Sequence, residues 1–287
     1  MIEKKKIIEW LFKTEAVRVS DEGDAFFYTS GLIGPYYINT HFLYGSREKA
    51  DELLEFIEHE RKDEISLPCK LMEKIDKNYN EDSIYKNVID SLASFIKENM
   101  DLEEIGYISG GERRDWFFSF KVADILGLPH LALFKDLKAI SVRDGIVNSV
   151  ESLDGKNLLH IVDLVNTASS HKKAWIPAIR ERGGDIKWNI SVVDRDQGGG
   201  NFFALEGIED FSMIKIDEDL FVQACEMKII NKNQMEFIHE YIRDPDGSMR
   251  NFLINNPDFL ENAIKSDNEK LSMRAHICRD ANLYGLK

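Results

Sequence analysis

The sequence predicts an α/β protein built on a parallel sheet flanked by helices, and three observations carry that reading. Four short apolar runs, IGYIS (105–109), HLALF (130–134), NLLHIVD (157–163) and WNISVVD (188–194), alternate with helical or loop segments, which is the rhythm of strands joined by crossovers. The stretch LLHIVDLVNTASSHKKAW (158–175) passes from a buried strand, through an acid, an asparagine and small hydroxyl residues, into a helix start. A length of 287 residues, 43% hydrophobic and 31% charged, suffices for one large ordered domain with an appendage.

The elements follow in order. Residues 3–13 carry Ile7, Ile8, Trp10 and Leu11 at helical spacing. The segment AFFYTSGLIGPYYINTHF supplies aromatic strands around turn signals at Gly31 and Gly34-Pro35, a short β layer. Residues 46–61 and 82–100 read as helices, and the charged stretch between them, RKDEISLPCKLMEKIDKNYN, reads as a surface insertion. After the four apolar runs, SMIKI (212–216) is placed to close the sheet. From Asp219 on, helical segments broken at Asp246-Gly247 and Asn256-Pro257 form an α-rich C-terminal region. The domain boundaries expected are 1–45 for an N-terminal segment, 46–216 for the core and 217–287 for the helical region.

Composition narrows the function classes. The net charge of −14 argues against wrapping a nucleic-acid backbone, yet Arg113, Arg114, Lys135, Lys138, Arg143, Lys172, Lys173 and Arg195 all sit in or beside loop segments, as a pocket for a small anion would need. No apolar run reaches a membrane span, and the start MIEKKKIIEWLF lacks a cleavage-site pattern, so a cytoplasmic location is expected. Three widely spaced cysteines, Cys69, Cys225 and Cys278, fit neither a disulfide framework nor a zinc knuckle.

At the carboxyl end of a parallel strand, the first turn of the next helix aims free N–H groups at the crevice, and an anion is the natural guest. After Asp163, the small residues Thr167, Ala168, Ser169 and Ser170 let the backbone curl around a phosphate. Lys172 and Lys173 in that first turn are disfavoured by the helix dipole unless something negative lies nearby. The plainer alternative is a serine-capped surface helix with solvated lysines. Pro177 fits neither account well, because inside a helix it removes a hydrogen bond.

HIVDLVNTASS resembles the phosphoribosyl diphosphate (PRPP) motif of the type I phosphoribosyltransferases, and three further stretches are similar to the orotate phosphoribosyltransferase branch. These are FFYTSGLIGPYYIN, like the family's N-terminal substrate segment, LFKDLKAISVRDG, like its catalytic loop leading into an Asp144-Gly145 hairpin, and SVVDRDQGGG, like its Asp-Arg strand end at Asp194-Arg195. The four agree in order from about residue 10 to residue 208. The resemblance implies a type I phosphoribosyltransferase-like sheet with an N-terminal hood and an α-helical C-terminal extension. It implies displacement of diphosphate from C1 of PRPP by a nucleobase, orotate or a related base, as in pyrimidine biosynthesis. Mg²⁺ would bridge diphosphate and ribose hydroxyls, with no direct protein ligand, near Asp163. Lys135 and Lys138 would neutralise the leaving group from a loop able to close, and Asp163 would hold the ribose hydroxyls. The loop SGGERRD, with Ser109, Gly110, Gly111 and Arg113, would bind diphosphate, its glycines permitting an unusual backbone. The residues 167–170 would take the 5′-phosphate, and Tyr36, Tyr37 and Arg195 would meet the base. A homodimer sharing the catalytic loop is implied as well.

The departures fall on ligand positions. Leu164 replaces the motif's second acid, serine or alanine replaces the phosphate-loop glycine, Thr29 stands for a lysine, Phe134 for an arginine, and Glu112 puts negative charge in the diphosphate loop. No histidine-glycine step follows Lys138. Two readings stand: a transferase acting on orotate or another base, or an impaired relative that binds PRPP or a nucleotide as a sensor and regulates a partner through its C-terminal helices.

Overall fold

The computed structural model describes residues 3–286; Met1, Ile2 and Lys287, at the ends of the first and last expected segments, lie outside the described residues. Helix α1 (Lys4–Lys13) buries Ile7, Ile8 and Leu11, the expected stripe. The aromatic stretch gives β1 (Val17–Val19), β2 (Phe26–Phe27), β3 (Ile33–Gly34) and β4 (Tyr36–Ile38), followed by a tight 3-10 turn at Thr40–Tyr44. Helices α2 (Arg47–Glu60), α3 (Leu67–Glu81) and α4 (Ser83–Asn99) come next. The expected surface insertion at 61–80 is therefore a helix for most of its length. Leu67, Leu71 and Ile75, four residues apart, form a fully buried stripe that the surrounding charges concealed, and Pro68 sits in the first turn where its missing N–H is harmless.

The core elements are β5 (Tyr107–Gly111), α5 (Trp116–Leu126), β6 (His130–Leu133), β7 (Ala139–Arg143), β8 (Ile146–Ser149), β9 (Asn157–Val165), α6 (Ile176–Arg180), β10 (Asp185–Asp194), α7 (Gly199–Glu206) and β11 (Glu209–Lys215). The C-terminal helices are α8 (Glu218–Glu226), α9 (Lys232–Arg243), α10 (Pro245–Asn255), α11 (Phe259–Ile264) and α12 (Glu269–Asp280). The break expected at Asp246-Gly247 lies earlier, at Asp244. That carboxylate accepts the Gly247 N–H at 3.0 Å, and Pro245 opens α10, so Asp246 and Gly247 are carried inside the helix.

The strands form one seven-stranded sheet in the order β11-β10-β9-β5-β6-β7-β8, parallel from β11 through β6, with β7 and β8 added antiparallel. After β5 the chain winds through α5 to β6 on one side, and β9 then returns on the other side of β5. The order reverses at β5/β9, which opens a crevice beyond the carboxyl ends of those two strands. Helix α5 is buried along most of its length, from Trp116 to Ala123, so its sequence shows little amphipathic pattern. The β7–β8 hairpin turns at Asp144 (φ 51°) and Gly145 (φ 74°), as the Asp-Gly pair predicts.

The chain divides into two compact units: Met1–Glu15 with Thr40–Asp217, and Ala16–Asn39 with Glu218–Lys287. The first holds the large sheet. The second joins the short aromatic strands to the C-terminal helices around Phe27, Ile33, Met249, Phe252, Leu253 and Ala275. In that unit Tyr284 Oη receives the Ile33 N–H at 2.8 Å, Arg274 donates to the Phe27 carbonyl at 2.9 Å, and Phe27 stacks on Phe259.

Candidate functional site

The crevice at the β5/β9 switch is a cavity of ≈ 320 Å³, within the first unit, lined among others by Glu112, Arg113, Arg114 and Lys135 on one side and by Asp163, Leu164 and 168–170 on the other. Two strand-loop-helix junctions make it.

The second junction in the chain is the one the sequence singled out. Strand β9 ends at Val165, whose carbonyl accepts the Arg195 N–H at 2.8 Å, and Asn166 Oδ1 caps the Thr167 N–H at 2.7 Å. Ala168 adopts φ 55°, a left-handed conformation, with its methyl buried. This turns the chain so that Ser169 and Ser170 begin a helical turn whose first N–H groups have no partner inside the helix. Ala168, Ser169 and Ser170 line the cavity, whereas Thr167 is exposed and is not among the lining residues. The next turn, His171–Trp175, is a wide π turn in which the Ile176 N–H reaches back to the His171 carbonyl. Pro177 explains it: a proline ring crowds the carbonyl four residues back and brings no N–H, so a wider turn carries the helix into α6. Lys172 does not line the cavity; its Nζ lies 4.5 Å from the Phe202 ring centroid.

The first junction runs from β5 to α5. The loop has the unusual backbone expected of it, a cis peptide bond between Glu112 and Arg113, although neither Gly110 nor Gly111 has positive φ. Their role is close approach. A Cβ on Gly110 would sit 2.2 Å from Ser119 Oγ, and one on Gly111 2.3 Å from the Trp175 ring. Ser109, also buried, hydrogen-bonds His160 Nδ1 at 2.8 Å, so Ser109, Gly110 and Gly111 are framework beneath the cavity and do not line it. Arg113 lines the cavity and pairs with Glu58. Lys135 and Lys138 lie on a tight turn between β6 and β7, held by the Leu137 N–H to the Phe134 carbonyl and the Phe134 N–H to the Lys138 carbonyl, both 3.0 Å. Lys135 lines the cavity; Lys138 does not, and its ammonium contacts Glu64 at 2.8 Å and Asp136 at 3.1 Å.

Sequence reasoning missed Asp115. Its carboxylate accepts the Gly111 N–H at 3.0 Å and the Asp163 N–H at 3.1 Å, tying the end of β5 to the end of β9. Its carboxyl is also hydrogen-bonded to that of Asp163, and burial together with the Asp163 charge pushes Asp115 well above the usual carboxylate range. Burial raises Asp163 as well, against the pull of the Arg114 guanidinium. So a second acid does stand beside Asp163, contributed by the start of α5 where the motif would have placed it at Leu164. The only sequence signal was an acid four residues beyond Gly111. A further buried chain was also missed. Asp210 accepts from Asn189 Nδ2 at 2.7 Å, which leaves Asn189 Oδ1 to accept from His171 Nε2 at 3.0 Å. His171 is neutral there, its pKa lowered by burial to about 4.

Of the expected base-binding residues, Arg195 belongs to the unit that holds this cavity, and Tyr36 and Tyr37 belong to the other. Arg195 does not line the cavity, though its Nε is buried without a hydrogen-bond partner among the described residues. In the other unit Tyr36 is a core residue packed on Phe221 and Tyr241, and Tyr37 contacts Phe26, Tyr28 and the Arg18 guanidinium.

No family model matches the sequence. The orotate phosphoribosyltransferase of Sulfolobus acidocaldarius is 24% identical over 165 residues, covering 57% of this chain and 78% of that protein. That of Rhodopseudomonas palustris (strain TIE-1) is 30% identical over 139 residues, covering 46% of this chain and 73% of the relative. Among solved structures, UMP synthase of Leishmania donovani matches with TM-score 0.57 at 15% identity over 84% of this chain, which spans 42% of that longer protein. The orotate phosphoribosyltransferase of Francisella tularensis matches with TM-score 0.54 at 13% identity, over 83% of this chain and 98% of that one. At such identities the structural likeness speaks for the fold, a type I phosphoribosyltransferase sheet; the Rhodopseudomonas match goes further, and by it the chain belongs to the orotate phosphoribosyltransferase family.

Proposed function

We propose that this protein transfers a phosphoribosyl group between PRPP and a nucleobase, with orotate or a similarly acidic base as acceptor. The observation that carries the reading is the single cavity in which phosphate-loop residues 168–170, Asp163 and the cations Arg114 and Lys135 all meet. The free N–H groups at 168–170 suit a 5′-phosphate. Asp163, at the strand end, suits the ribose hydroxyls, and Asp115 holds its backbone in place. As diphosphate leaves C1, negative charge grows on it and positive charge on the ribose; Arg114 and Lys135 lie where the first can be met, and Asp163 where the second can.

Mg²⁺ fits this arrangement as an ion carried by the diphosphate, since the site offers the Asp163 carboxylate from the protein side. It would be held by diphosphate oxygens and, through water, by Asp163, and would lower the charge of the leaving group. The family resemblance supports a homodimer.

The test is Ser170→Trp. Ser170 is exposed and lines the cavity, so the indole fills the phosphate loop without entering the core. Ribose 5-phosphate and PRPP affinity should fall at least thirtyfold with an unchanged melting temperature, and diphosphate release in a screen of bases should disappear. Unchanged affinity would place the phosphate elsewhere. The sensor reading is favoured by one observation, the pairing of Lys138 with Glu64, and PRPP binding without diphosphate release with any base would select it.

A further inference from the structure

The cations beside the diphosphate end of the cavity are already answered by carboxylates of this chain. Glu58, at the end of α2, binds both Arg113 and Arg61, the latter at 3.1 Å. Glu64, in the link between α2 and α3, binds Lys138 at 2.8 Å. Glu112 stands between these pairs. Its Oε2 accepts the Lys135 N–H at 3.0 Å, its Oε1 is 3.7 Å from the Arg61 guanidinium, and its side chain is 6% exposed while lining the cavity. Arg114 and Lys135 make no ion pair among the described residues, and both line the same cavity.

Two free cations face one fixed carboxylate at Glu112 and the charge of the Asp115/Asp163 pair. These charges cancel, so the loop at 168–170 holds its phosphate through backbone donors, and little cationic charge is left to meet a diphosphate. The exposed pairs at Glu58 and Glu64 are individually weak and screened by salt. The largest obstacle is Glu112, whose charge is sheltered from solvent and set in a backbone hydrogen bond, so a diphosphate entering there meets a like charge that does not swing away.

We infer that Glu112, supported by Glu58 and Glu64, determines specificity at the C1 end of the ligand, turning the site against a diphosphate and toward a ribose 5-phosphate whose C1 substituent carries far less negative charge, such as a nucleoside 5′-monophosphate. The protein thus holds the nucleotide side of its reaction more readily than the PRPP side. This rests on the proposed function, because it takes the 5′-phosphate to bind at 168–170.

The experiment is calorimetric titration of the full chain with ribose 5-phosphate and, separately, with PRPP, both with Mg²⁺. In the unsubstituted protein PRPP should bind less than tenfold more tightly than ribose 5-phosphate. Glu112→Gln should raise PRPP affinity at least fivefold and leave ribose 5-phosphate within twofold. A PRPP preference of tenfold or more in the unsubstituted protein, or a smaller PRPP gain in Glu112→Gln, overturns the inference. If Glu112→Gln melts early, Glu58→Gln/Glu64→Gln replaces it, with a PRPP gain of threefold or more expected and a smaller one counting against. Failure of both ligands to bind the unsubstituted protein would instead remove the proposed function itself, which keeps the two failures apart.

Discussion

The two junctions that face each other across the β5/β9 crevice share one geometry, a parallel strand running into a helix, yet they are finished differently. After β9 the chain presents backbone: small residues at 168–170, with the first N–H groups of a helical turn open to the cavity. After β5 it presents side chains, Glu112, Arg113 and Asp115, most already engaged with one another or with neighbouring elements. A junction that offers backbone donors binds any phosphate of the right size, whereas one furnished with side chains is tuned residue by residue and is where relatives can diverge. Each junction is also backed by a neutral buried histidine, His130 against Ser119 behind the first and His171 against Asn189 behind the second.

The strongest way to break the comparison is to cut the staple between the junctions. Asp115→Ala leaves the Gly111 and Asp163 N–H groups unmet in a buried place and should destabilise the fold by about 2–4 kcal/mol. Chemical denaturation at neutral pH checks it, and a loss below measurement error would mean that the two strand ends hold themselves together. A smaller effect concerns the histidine behind the first junction. Burial lowers His130 to about 3, below its ordinary 6.5, so as pH falls from 6.5 toward 3 the unfolded chain takes up a proton that the folded chain refuses, and stability is lost. His130→Leu removes this contribution. The stability difference between pH 7 and pH 5 should shrink by about 2 kcal/mol relative to the unsubstituted protein. An unchanged difference would show that the imidazole is protonated in the fold.

The smallest expected effect separates the two accounts of the lysines in the phosphate-loop helix. Lys172→Ala removes only the contact with Phe202 and should change stability by about 0.5–1 kcal/mol, with ribose 5-phosphate affinity unaltered. A tenfold loss of that affinity would return Lys172 to the phosphate site and make the second junction depend on side chains as the first does.

Much of the scaffold was legible in the sequence because strands and tight turns are local. The runs at 105–109, 130–134, 157–163 and 188–194 became β5, β6, β9 and β10, and Asp144-Gly145 became the hairpin turn. Cavity lining by 168–170, just after Asp163, followed from the rule that parallel strands open at their carboxyl ends, whereas that by Lys135 was implied by the family resemblance. Helix α3 was hidden because its buried stripe is three residues wide in a highly charged window, and the close approach of Gly110 and Gly111 to Ser119 and Trp175 was missed because such packing has no sequence signature.

By itself, then, the sequence determined the order of strands and helices, the hairpin, and the small-residue loop after Asp163, since each depends on periodicity, turn chemistry or residue size within a short window. The tertiary structure alone decided that Asp115 stands beside Asp163, 48 positions away, that Glu64 answers Lys138 across 74, and that Ile33 is tied to Tyr284 across 251. Such polar pairings are set by where the packed elements bring two side chains together. A pairing made through space leaves no period in the sequence.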